Sequence, residues 1–117
     1  MTSRLAYAGL AVVLIAALAY EVAATGTSWW LVVVFLLGPD IALFAGIGSG
    51  LEKGQLHPRA VPLYNVLHRY WGPVALAAAS LVLPDGWLAA ALAWAVHISV
   101  DRAVGYRLRT RDGFQRT

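Results

Sequence analysis

Five residues in this sequence have the types and spacing to do chemistry together. His97 and Asp101 stand four apart in AVHISVDRAVGY, Asn65 and His68 three apart in LYNVLHRY, and Asp40 follows a proline in LLGPDIAL. Residues three or four apart share one face of a helix, so each pair presents its polar groups in one direction. Two imidazoles and two carboxylates are enough ligands for a divalent ion, zinc or manganese. Such an ion activates water for hydrolysis. No compact H-E-x-x-H signature is present, so the set must be assembled from separate elements.

Those elements are apolar. Of 117 residues, 60% are hydrophobic and 13% charged, too little charge to cover a soluble domain of this size. Four runs of about 20 residues, each long enough to cross a ~30 Å hydrocarbon layer, are predicted as spans over about 5–23, 28–48, 60–83 and 87–106. The fold class expected is all-α, a polytopic four-helix transmembrane bundle forming one domain over 1–117. Arg4 before an apolar run also suits a signal peptide, but the run is long for one and three more follow. Without cysteine, disulfides and thiolate sites are excluded.

The net charge of +3 is not spread as a nucleic-acid binder would spread it. Arg4, then Lys53 and Arg59, then Arg107, Arg109, Arg111 and Arg116 all fall on one side of a four-span arrangement. The positive-inside rule therefore places both termini and the 49–59 loop in the cytoplasm, in a cell inner (plasma) membrane. The partners expected are the lipid bilayer and a second copy of the chain, and no nucleic acid.

A rise of 1.5 Å per residue puts Asp40 and His68 roughly 12 Å in from the cytoplasmic end, His97 roughly 13 Å, and Asn65 and Asp101 about 7 Å. One polar layer in the cytoplasmic half is predicted. Pro39 should kink its helix and leave a carbonyl near residue 35 free, which membranes tolerate beside a cavity. Gly72 continues the Asn65–His68 face and would admit a neighbouring helix. Arg102 points about 140° from His97 and is expected to reach the surface or pair with an acid, or to contact a ligand. Tyr64, Tyr70 and Trp71 could line a cavity, while the other Trp and Tyr residues read mostly as interface anchors.

GPD, YNVLH and HISVDRAVGYRLRTRDGF resemble the small membrane-protein family DUF4260, whose members end in a pattern like H-I-x-x-D-R-x-L-G-Y-G-L-K and then G-F-x-x-T. The resemblance covers most of the chain, implies a four-span fold, and carries no activity. Val104 and Arg107 depart from the pattern. So does Ala8, where family members often have an acid, and the pattern's later His-Leu-Gly lies beyond Thr117. A site that used that acid or histidine would be altered here.

Three functional readings follow. A metal- or small-ligand-binding membrane protein, in its sharpest form a membrane hydrolase, would use Asp40, Asn65, His68, His97, Asp101 and Arg102, with Asp40, His68, His97 and Asp101 on the metal. The alternatives are a small dimeric transporter, and a structural or accessory subunit whose buried polar residues only fix helix packing. A bis-histidine haem lacks any other mark of a haem pocket. The one-sided Lys/Arg pattern makes a direct prediction: alkaline phosphatase, active only outside the cytoplasm, should stay inactive when fused to the C-terminus. High activity there would refute the orientation.

Overall fold

The computed structural model describes residues 2–116, whose regular elements are all helices, joined by turns and loops, with one isolated antiparallel bridge between Arg109 and Gln115. Helix α1 runs Thr2–Thr25 and α6 runs Trp87–Val104. Both are long and apolar enough to cross a membrane. Between them lie the shorter α2 (Trp29–Leu37), α3 (Ile41–Ala45), α4 (Val61–Leu67) and α5 (Trp71–Ala79).

Two of the four continuous spans expected from hydropathy are broken. The 28–48 segment bends through a 3-10 turn at Gly38–Asp40, where Pro39 has no N–H to give the preceding turn. The 60–83 segment breaks at residues 68–70 and its helix ends at Ala79. Pro73 accounts for this second break. It fits the first turn of α5, and a helix running through from α4 would set its ring against the carbonyl of Arg69. A hydropathy run registers apolarity, and neither break interrupts it.

Helix α6 is the hub. Helices α1, α2 and α5 all pack against it. Its buried face is built from Ala89, Ala90, Ala91, Ala93, Ala95 and Ser99, small residues that let backbones approach closely. Its large side chains satisfy carbonyls at the helix breaks. Trp94 Nε1 donates to Leu67 O at 2.7 Å, Arg102 Nη2 to His68 O at 2.8 Å, and His97 Nδ1 to Leu36 O at 2.6 Å. A helix break leaves backbone carbonyls without their helical partners, and these three donors satisfy them. Trp94 therefore serves inside the fold and not as an interface anchor. Arg102 meets a carbonyl and the rings of Tyr7 and Tyr70, 5.7 and 5.9 Å away, instead of an acid.

After α6, Gly105 turns the chain back, and the tail folds onto the 51–57 loop. Leu56 N donates to Gly113 O at 2.9 Å. Gly113 has φ +96°, and a Cβ there would strike the Leu56 carbonyl, so only glycine fits. Asn65 clamps the same tail, accepting from Arg109 N at 2.8 Å and donating to Arg109 O at 3.0 Å.

Gly72 lies directly under the Trp94 indole, which its bond to Leu67 O holds in place. Gly72→Ala should force the indole off that carbonyl and cost about 1–3 kcal/mol. The check is a thermal melt in detergent, where the variant should unfold several degrees below the unmodified chain.

Candidate metal centre

Asp40, His68, His97 and Asp101 converge. One ligand atom from each lies within 4.8 Å of the others. His68 Nε2 is 3.2 Å from Asp40 Oδ1 and 3.3 Å from Asp101 Oδ2. His97 Nε2 is 3.1 Å from Asp40 Oδ1 and 3.3 Å from Asp101 Oδ2. The two Nε2 atoms are 3.2 Å apart. Five of the six spacings thus span only 3.1–3.3 Å. Ligands at about 2.0 Å around a tetrahedral ion are about 3.3 Å from one another. This group could hold a metal ion.

Each ligand comes from a different structural cause. Asp40 ends the 3-10 turn that Pro39 imposes. His68 closes α4 at the second break. His97 and Asp101 are one turn apart on α6. The backbone fixes both imidazoles. His68 Nδ1 lies 2.8 Å from Tyr64 O and His97 Nδ1 2.6 Å from Leu36 O. A carbonyl only accepts, so both Nδ1 atoms carry hydrogen and donate. In the neutral rings, both Nε2 lone pairs then face each other and two carboxylate oxygens. Four electron-rich atoms aimed at one point need a cation or extra protons between them. Outer donors of this kind are what orient metal-bound histidines.

The site has a buried side and an open side. His68 is 3% exposed and His97 8%, whereas the Asp40 side chain is 42% exposed. Both carboxylates line a cavity of about 280 Å³ together with Leu43, Tyr64, Tyr106 and Arg109. Tyr64 stacks on His68 with centroids 4.0 Å apart, and the Arg109 guanidinium sits 5.1 Å over the other partner of that stack, the Tyr64 ring.

The remaining sequence candidates fall outside the ligand cluster. Asn65 bonds the tail, and Arg102 acts through the His68 carbonyl. Tyr70 bonds Ser99 Oγ at 2.7 Å, and Trp71 is exposed. Ala8 lines a separate cavity with Arg4, Leu5 and Ala103, none of them a ligand candidate. Tyr106 and Arg109 escaped the sequence reading because they lie in a basic tail that looked like a topology signal. The reversal glycine Gly105 was the available hint that the tail turns back.

The family profile for a domain of unknown function, DUF4260, matches residues 4–117, nearly the whole chain. The chain belongs to this family. No curated protein and no solved structure matches it.

Asn65 supplies two bonds across to the tail, each worth about 0.5–1.5 kcal/mol. Asn65→Ala should loosen the tail without removing a ligand candidate. Limited trypsin digestion should then cut after Arg109 and Arg111 several-fold faster than in the unmodified protein, while the rest of the chain stays intact.

Proposed function

We propose that this DUF4260 member is an integral membrane protein that binds a divalent ion, zinc in preference to manganese, in the cytoplasmic half of its helices. The observation that carries the metal is the 3.1–3.3 Å spacing of five of the six pairs among four electron-rich atoms, with both imidazoles locked by backbone carbonyls. Tetrahedral N/O sites of this size suit zinc, while manganese favours octahedral oxygen sites. Membrane insertion is supported by large apolar side chains left at the surface. Val12, Val13 and Leu5 on α1 are each about two-thirds exposed, and Leu81 and Val82 nearly fully. A soluble monomer seldom exposes a continuous apolar surface of that kind. Lipid contacting these faces, with both termini cytoplasmic, accounts for their composition and for the one-sided Lys/Arg pattern.

A hydrolytic role for the centre would need the ion to take a fifth ligand, because four protein ligands at tetrahedral spacing fill a zinc site, and the half-exposed Asp40 marks the side from which water would enter. Zinc lowers the pKa of a bound water toward ~7 and so makes a nucleophile at neutral pH. In this chain, His68 and His97 would hold the ion from the buried side. Asp40 and Asp101 would neutralise its charge from the side facing the cavity, where a substrate has room. Tyr64 would shield the His68 ring from solvent.

A metal centre and a simple polar network differ in their response to metal. Zinc at 100 times its Kd should stabilise the folded protein by about 2.7 kcal/mol. The melting temperature in detergent should therefore rise when zinc replaces chelator. His68→Ala, His97→Ala and Asp101→Asn should abolish that rise. No zinc-dependent shift in the unmodified chain would refute the metal. The shift should also depend on pH. Only neutral imidazole binds metal, so it should be full above the histidine range near ~6.5 and disappear as pH falls below it. A shift that is unchanged at pH 5 would exclude the histidines as ligands.

A further inference from the structure

The cavity beside the ligand cluster has an unbalanced charge. A divalent ion between Asp40 and Asp101 would leave that pair neutral. Arg109, on the same cavity wall, keeps its full positive charge. Among the described residues, every ion pair is one of the four His–Asp contacts, so no carboxylate meets Arg109. Its Nη1 donates to two neutral carbonyls, Gly54 O at 3.0 Å and Gly113 O at 2.7 Å. Its Nε is buried without an acceptor. A buried donor left unmade is costly, and a guanidinium is shaped to recognise oxyanions.

Resting on the metal reading above, we propose that this cavity binds a monoanionic oxyanion, the charge carried by a carboxylate or a phosphodiester, between the metal centre and Arg109. Three features favour that class. One negative charge neutralises the Arg109 side of the cavity without overloading the carboxylate side. About 280 Å³ admits a headgroup-sized ligand and not a large one. Leu43, Tyr64 and Tyr106 supply an apolar and aromatic wall beside the charge, which suits a ligand with an organic substituent.

Cobalt(II) in the purified protein gives the test a readout that does not depend on activity. Its visible absorption reports the ligands around it and responds when an anion enters the centre. Dimethyl phosphate and acetate should shift the cobalt spectrum saturably, and neutral trimethyl phosphate should not. Arg109→Gln should keep the starting spectrum and bind the anions roughly tenfold or more weakly, as expected for loss of a charge-assisted contact. Because Arg109 also ties down the tail, Leu43→Trp provides a second variant. It narrows the cavity without replacing a metal ligand or Arg109, and should weaken the anions likewise. Short-chain phosphatidylglycerol binding more tightly than dimethyl phosphate would name a lipid headgroup as the source. Equal binding would name a free ester, and either ranking upholds the site. A normal cobalt spectrum that no anion shifts overturns this inference alone. So does a shift that both variants leave undiminished. Absence of cobalt absorption in the unmodified protein overturns the metal reading and this inference together.

Discussion

The structure depends on two hydrogen bonds, from His68 Nδ1 to Tyr64 O and from His97 Nδ1 to Leu36 O. They decide which nitrogen of each ring is free, and the free nitrogens face each other at 3.2 Å. Unshielded, that contact opposes two lone pairs in a poorly solvated place. The rings cannot turn away without surrendering a buried N–H. The fold therefore holds a standing demand for positive charge at one point. Asp40 and Asp101 add to that demand, since each brings a carboxylate to both Nε2 atoms.

The helix breaks follow from the same constraint. An unbroken helix through residues 29–45 would carry Asp40 along the regular spiral of that helix. The 3-10 turn at Pro39 displaces it and places Leu36 O where His97 meets it. A break at residues 68–70 likewise ends α4 on His68 and exposes carbonyls that α6 then satisfies through Trp94 and Arg102. Helix α6 thus contributes two of the four ligand candidates and the donors that make the other elements' irregularity affordable. Small residues on its buried face bring those donors close enough.

This explains which parts were legible in the sequence. The convergence of Asp40, His68 and His97 needs only the rise per residue and approximate ends, and it survives the breaks because Asp40 and His68 stand at the breaks themselves, where α6 reaches them. The His97/Asp101 pair needs only helical spacing. Pro39 was readable as a kink because it sits in mid-run. Pro73 was equally readable in principle, as a residue suited to a first turn, but the apolar run through it masked the break. Asn65 was misleading, because three-residue spacing from His68 shares a helix face only while the helix continues. Here α4 ends at Leu67, and Asn65 reaches the tail.

The tail shows the limit most clearly. Arg107, Arg109, Arg111 and Arg116 form one class when charges are counted for topology, and a count cannot separate them. Only Arg109 combines three things: a bridge partner in Gln115, a backbone clamp from Asn65, and a guanidinium over Tyr64. These are long-range contacts, 44 residues apart in the Asn65 case. Local pattern carries no trace of them. Their effect is to connect the tail to the ligand cluster in three steps, since Arg109 covers Tyr64, Tyr64 stacks on His68, and His68 faces both carboxylates. A segment that the sequence offers only as a run of positive charge thereby also forms one wall of the cavity beside the His/Asp cluster. Net charge is a property of the whole segment, whereas the cavity wall depends on the geometry of a single side chain, so a reading of the first carries no information about the second.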